Sequence, residues 1–212
     1  MKICAFDLET IADKSKINFL PEVKPDKRIV VPAKIEADIA KKKQKQINEM
    51  ALIPATAMIC VFGWHDGKEP HSILLEEETP EAERDLLVNA WKELKKAEHY
   101  VTFNGIGYDV PVLLMRSLIN RVKPSVKIST KKYVIANHTD IRAVLGNWDT
   151  YAKGTLDYYM NLLLGRTSKE ELSGDMVQDT WDMGLGADIA KYCEADCQGS
   201  FDLYDLMVQY YL

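Results

Sequence analysis

Lys2-Ile3-Cys4-Ala5-Phe6-Asp7-Leu8-Glu9-Thr10 is the stretch on which the reading of this chain turns. Cys4, Phe6 and Leu8 alternate with Ile3, Ala5, Asp7 and Glu9, the period of two that belongs to a strand, so the two acids project from one face. Ile3 and Ala5 share that face and are apolar, which predicts a buried or cleft-facing side. The bland alternative is an outward face whose acids pair with lysines. Like charges this close are costly unless something cationic neutralises them, and hard oxygen ligands at this density suit Mg²⁺ or Mn²⁺.

Two further stretches deliver carboxylates. Asn104-Gly105-Ile106-Gly107-Tyr108-Asp109 follows a strand-like His99 to Phe103, turns through two glycines and reaches Asp109 just before Pro111, a good first-turn residue. An acid at such a junction is aimed beyond the strand ends, although taken alone Asp109 reads as a helix N-cap. Tyr192-Cys193-Glu194-Ala195-Asp196 lies in an expected C-terminal helix. Tyr192 and Asp196 stand four residues apart and so share one face, whereas a core tyrosine is the alternative if that spacing is ignored.

With Asp7-x-Glu9, then Tyr108-Asp109 after Asn104, then Tyr192-x-x-x-Asp196, the chain resembles the DEDD superfamily of 3′-5′ exonucleases in its tyrosine-bearing subtype (DEDDy). The likeness is to stand-alone proteins similar to the exonuclease domain of family B DNA polymerases. One motif alone is weak, but three in order across nearly the whole chain are a strong signal. The resemblance implies a ribonuclease H-like α/β fold, with a mixed five-stranded sheet flanked by helices. It also implies that Asp7, Glu9, Asp109 and Asp196 hold two divalent ions, Mg²⁺ or Mn²⁺, about 3.5 to 4 Å apart. Asp7 would bridge both ions, Glu9 and Asp196 would complete the site that generates the nucleophile, and Asp109 would serve the other. Tyr192 would orient the attacking water. Thr10 and Asn104, beside the first two motifs, are the expected grip on the terminal nucleotide of a single strand, with DNA favoured over RNA and a polymerase or other replication or repair protein as a possible partner. Phe103 and Tyr108 are candidate stacking residues or core. Alternatives are an exoribonuclease or short-oligonucleotide nuclease, and a catalytically silent nucleic-acid-binding accessory module; a small-molecule phosphodiesterase is remoter.

The rest of the composition is consistent with such an enzyme without pointing to it. The chain of 212 residues suits one α/β domain, spanning 1–212. A formal net charge of −5 gives no global basic footprint and argues against tight duplex binding. Local clusters exist at Lys41, Lys42, Lys43 and Lys45, and at Arg121, Lys123, Lys127, Lys131 and Lys132; solvated surface is their default reading. Cysteines at 4, 60, 193 and 197 show no disulfide framework, and no signal-peptide or membrane-spanning run is seen, so a reduced, cytoplasmic setting is expected. Cys193 and Cys197 read as small buried residues beside the catalytic helix face rather than half a zinc site. His65, His71, His99 and His138 have no metal-like spacing.

Along the chain, a Lys- and Pro-rich insertion at about 11–55 contains an expected helix from Ala33 to Met50 with a thin apolar stripe. A loop of that length is either a flap beside the site or a decoration. Strands are expected at Thr56–His65, Pro70–Leu75, His99–Phe103 and Val134–Asp140, with Asp66-Gly67 as a hairpin turn. Helices are expected at Pro80 to about Lys96 with Trp91 in the core, Asp109 to Asn120, and Leu156–Leu164. Asp140 and Asp157 read as helix-capping or supporting acids at least as readily as catalytic ones.

Overall fold

The computed structural model describes residues 1–149, 151–167 and 172–212. Five strands, β1 (Ile3–Ala12), β2 (Ala57–His65), β3 (Pro70–Leu74), β4 (His99–Thr102) and β5 (His138–Asp140), form one sheet in the order β3-β2-β1-β4-β5. The hairpin side is antiparallel, and β4 and β5 continue in parallel from β1. This is the mixed ribonuclease H-like sheet.

The period-two pattern of β1 sorts the two faces of the sheet. Cys4, Phe6 and Leu8 enter a core shared with α2 (Pro80–Leu94) and α3 (Asp109–Ile119), through Leu86, Leu87, Trp91, Val112 and Leu113. Trp91 is core, as expected, and its indole N–H donates to Ser117 Oγ at 2.8 Å. Ala5, on the other face, packs with Val101 against α4 (Ile141–Leu145), α5 (Leu156–Leu164) and α7 (Gly186–Tyr210), through Ile141, Met160, Leu203 and Tyr204. The acids of β1 therefore face α7.

The alternating run from Lys2 to Glu9 predicts a strand of that length, and β1 runs further, to Ala12, because after an irregularity between Glu9 and Thr10 its last residues still pair with Ile59 to Ala57. The insertion holds α1 (Pro32–Glu49), which fully buries none of its residues, in line with its thin stripe. Val31 precedes it as N-cap without a side-chain bond, and Pro32 at its first position supplies a pre-set φ in place of a cap. The expected strand from Val134 is a correction: only His138–Asp140 pairs, because β4 offers partners only from Tyr100 to Thr102. Val134 and Ile135 lie past that ladder and are exposed. A short helix, α6 (Val177–Asp182), precedes α7.

A buried ion cluster fastens the start of the insertion to the domain. Arg116 on α3 donates to Glu83 at 2.6 and 2.8 Å and to Asp13 at 2.9 Å, all three side chains being nearly inaccessible. Glu83 also accepts the Ile59 N–H at 3.0 Å, a donor that β3 is too short to reach. Among the described residues no helix is long and apolar enough to cross a membrane.

Candidate active site

β1 and β4 pair only at Ile3–Ala5 with His99–Val101. Past that point the edge of β1 has no strand beside it on the β4 side, and α3 begins there. Asp109 is the first residue of α3, and its Oδ1 accepts the Leu8 N–H at 3.2 Å. The N–H of the residue between Asp7 and Glu9, left over by the diverging sheet, thus holds the Asp109 carboxylate against β1. Tyr108, not Asp109, is the residue before the helix, so Asp109 is not an N-cap.

Asp196 comes from α7. On β2, Gly63 stands opposite Asp7 in register. A Cβ there would lie 2.6 Å from Cys193 Sγ and 3.0 Å from Cys197 Sγ, so only glycine lets α7 lie this close to the strand carrying the acids. Cys193 Sγ is 3.6 Å from Asp7 Oδ2, and ligand atoms of Asp7, Glu9 and Cys193 all lie within 4.8 Å of one another.

The electrostatics report the convergence. Asp7 is held well above the ordinary carboxylate range, first by burial and then by the charges of Asp109, Glu9, Cys197 and Asp196. Glu9 is raised likewise, by burial and then Asp196 and Asp109. Asp109 is raised to about 7: burial, Asp140 and Asp196 push it up against the opposing pull of main-chain N–H bonds. Tyr192 is pushed up by burial, by Asp196, Glu9 and Asp7, and by its hydrogen bond to Asp196, so its hydroxyl stays protonated at neutral pH. All five residues expected from the sequence therefore meet in one place. Among the described residues no lysine or arginine forms an ion pair with Asp7, Glu9 or Asp109. A divalent cation fits these three carboxylates, which converge with the Cys193 thiol beside them and have no lysine or arginine of their own among the described residues.

The two expected substrate residues border the cluster with part of their hydrogen-bonding capacity committed. Thr10 Oγ1 donates to Ala51 O at 2.8 Å and lies 2.6 Å from Tyr108 Oη, which also reaches Ala51 O at 2.6 Å. The end of the insertion is thereby tied to both of the first two motifs. Tyr108 reads as a strut, not a stacking platform. Asn104 takes φ 68°, donates its N–H to Asp140 Oδ1 at 3.0 Å and accepts from Arg142 Nη1 through Oδ1 at 2.8 Å. Asp140 also accepts from Ile106 N and caps α4 through Ala143 N, which makes it the supporting acid of the two-glycine turn. Asp157 sits in the first turn of α5 and accepts from Thr167. The four histidines pack or hydrogen-bond within the fold: His99 to Thr139, His138 to Thr102, His65 on Phe201 and His71 on Trp64.

Two participants escaped the sequence reading. Gly63 carries no chemistry and is marked only by its register against Asp7. Cys193 was read as neighbouring packing, although its position three residues before Asp196 puts both on one helix face. Its thiol is pushed well above its ordinary value by burial, by its hydrogen bond with Cys197 and by the charge of Asp7, so it remains a neutral donor to the acid.

Residues 49–211, more than half of the chain, match the model of a family described as predicted 3′-5′ exonucleases related to the exonuclease domain of PolB. The chain belongs to that family. The matched segment contains the second and third acidic motifs, while Asp7, Glu9 and most of the insertion lie before it. A search of curated proteins finds no match. Among solved structures, the family B DNA polymerase from the hyperthermophilic archaeon Pyrobaculum calidifontis is similar, with TM-score 0.65 and 14% identity. The similarity covers 98% of this chain but 24% of that polymerase, and at this identity it speaks for the fold alone.

Proposed function

We propose that this exonuclease-family protein is of the DEDDy type and removes nucleoside 5′-monophosphates from the 3′ end of single-stranded DNA, acting as one domain over 1–212. The observation that carries the reading is the meeting of acids from three separate segments: Asp109 accepts the N–H of Leu8, the residue between Asp7 and Glu9, and Asp7 lies against Cys193 on the helix that carries Tyr192 and Asp196 four residues apart.

Asp7, Glu9, Asp109 and Asp196 are the residues that would hold the divalent ions, with Asp7, which feels the charge of the other three, as the ligand that two ions would share. Bound Mg²⁺ or Mn²⁺ would lower the pKa of a coordinated water and stabilise charge on the leaving 3′-oxygen. The protein's own part is positional. Tyr192, kept protonated, donates its hydroxyl hydrogen to Asp196 and retains lone pairs that accept from a water, holding that water with its own lone pair turned to the phosphorus. Leu8 N–H and the Cys193 thiol fix Asp109 and Asp7 in orientation. A single strand suits a cluster this buried, because a paired end does not easily bring its terminal phosphate to it.

The test uses matched 5′-labelled single-stranded DNA and RNA with Mg²⁺ or Mn²⁺, with products resolved by length. Progressive shortening of DNA from the 3′ end, blocked by a 3′-phosphate, is expected. Cleavage of a circular single strand, or a preference for RNA, would overturn the assignment of end or of sugar.

A further inference from the structure

Beside the acids lies a recess of about 330 Å³ lined by Asn104, Lys132, Asp140, Arg142, Trp148 and Asp149, among others. It shares Asn104, Ile106 and Gly107 with the two-glycine turn that leads into Asp109, and Asp140, also in its wall, supports that turn by accepting from Asn104 and Ile106. We propose that this recess is a subsite for one unpaired nucleotide adjoining the scissile phosphate, its base against Trp148 and its phosphate between Lys132 and Arg142. The proposal rests on the exonuclease reading above for the identity of the strand.

Three independent observations support it. The first is charge. Arg142 is part-buried, and its guanidinium meets only neutral oxygens, Asn104 Oδ1 at 2.8 Å and Ala152 O at 3.1 Å. Among the described residues neither Arg142 nor Lys132 forms an ion pair, so two cationic groups face the recess without an anion of their own. The two carboxylates in the same wall keep their charge but turn oxygens to main-chain donors, Asp140 to Asn104, Ile106 and Ala143 and Asp149 to Tyr151, and pair with neither cation. A planar guanidinium with hydrogen-bonding capacity to spare is suited to a phosphate oxygen.

The second is an aromatic surface. The ring of Trp148 lies 5.6 Å from that of Tyr133, which is exposed. A purine or pyrimidine stacks on such a face without regard to sequence, as a single-strand nuclease requires. The third is the backbone. Five non-glycine residues among those described have positive φ, and four of them, Asn104, Tyr133, Asn147 and Trp148, line or border this recess. Left-handed conformation is a genuine outlier for residues as bulky as tyrosine and tryptophan, and such outliers gather at functional sites. The volume is at the low end for a small-ligand pocket, fitting one nucleotide and excluding a base pair.

The experiment places 2-aminopurine at the terminal, penultimate or third position of an oligothymidylate. Fluorescence is titrated against the full-length protein with Ca²⁺ in place of Mg²⁺ to suppress hydrolysis. Quenching at the terminal or penultimate position is expected. Trp148→Ala should abolish that quenching and weaken binding on the order of tenfold, whereas Trp148→Phe retains most of both. Lys132→Ala should weaken binding several-fold and flatten its salt dependence, and Lys45→Ala, on the insertion helix, should change neither. With Mg²⁺, Trp148→Ala and Lys132→Ala should raise KM at unchanged kcat. Quenching confined to the third position, or Lys132→Ala binding with wild-type affinity and salt dependence, would overturn the subsite, as would a folded Trp148→Ala that binds and quenches as wild type. Wild-type protein that binds and quenches as expected but never shortens the strand would instead overturn the exonuclease reading and leave the subsite standing.

Discussion

Asp109→Asn separates the cost of the acidic cluster from its use. The Asp109 carboxyl is raised from 3.8 to about 7 in the folded chain. At pH 8 both states are ionised, and a difference of this size costs the folded state about 4 kcal/mol relative to a group with no shift. Asparagine removes the charge and keeps an oxygen for the Leu8 N–H, but it leaves an amide N–H₂ in a buried place, a penalty of about 1–3 kcal/mol. The metal-free variant should therefore be more stable than wild type at pH 8 by about 1–3 kcal/mol, or about 2–12 °C in Tm for a chain of this size.

The sign reverses with pH. Because the folded state holds the Asp109 proton more tightly than the unfolded chain, its contribution to stability is fully present below about pH 4 and is lost as pH rises through about 7. The variant's advantage should shrink to nothing or reverse at pH 5. Saturating Mg²⁺ stabilises whatever state binds it, by about 2.7 kcal/mol at 100 times Kd, so wild type should gain in melting temperature and the variant far less. Calorimetry at pH 5 and pH 8, with EDTA and with Mg²⁺, reads all four conditions. A variant that is less stable than wild type at pH 8 without metal, yet gains equally from Mg²⁺, would refute the coupling of Asp109 to a cation site.

Asp7→Ala should abolish hydrolysis while metal-free melting holds or rises, and substantial residual nuclease activity in the purified variant would remove Asp7 from the centre of the site. Tyr192→Phe should lower kcat on the order of 10- to 1,000-fold with melting temperature and Mg²⁺ affinity nearly unchanged; wild-type turnover would leave the tyrosine as packing. Gly63→Ala should cost about 1–3 kcal/mol by urea titration and displace α7 from Asp7, since its Cβ would meet Cys193 Sγ at 2.6 Å. Arg116→Ala strands Glu83 and Asp13 without their cation and should cost about 3–5 kcal/mol; an unchanged urea midpoint would show that the insertion is anchored by other means.

The fold and the acidic residues were legible in the sequence because each was written in a local pattern. Period-two alternation put Asp7 and Glu9 on one face, helical spacing paired Tyr192 with Asp196, and a strand-turn-Pro sequence located Asp109. What was not legible depends on contacts between distant segments. The end of β5 is set by how few residues β4 offers, which no property of Val134 or Ile135 reveals. Gly63 matters because α7, more than 120 residues away in the chain, lies on it. The role of Asp140 was left open between capping and catalysis, and the fold gives it both a cap at Ala143 and the support of Asn104 and Ile106.

Two acidic groups in this fold show how the protein treats carboxylates paired within the chain and carboxylates left without a cation of their own. Asp13 and Glu83 are inaccessible and lie against Arg116, so their charge is balanced within the chain and neither depends on solutes. Asp7, Glu9 and Asp109 are held by neutral donors, the Cys193 thiol and the Leu8 N–H among them, which orient the oxygens without cancelling their charge. A hydrogen bond from a thiol or an amide fixes direction, whereas a guanidinium would also occupy the place of a cation. Arg116 is on the same helix as Asp109, seven residues on, and yet is spent on the other cluster. The fold thus commits the fully buried Arg116 to the structural acids and leaves the β1 acids with repulsion that burial magnifies, which is the condition under which a site gains most from a divalent ion.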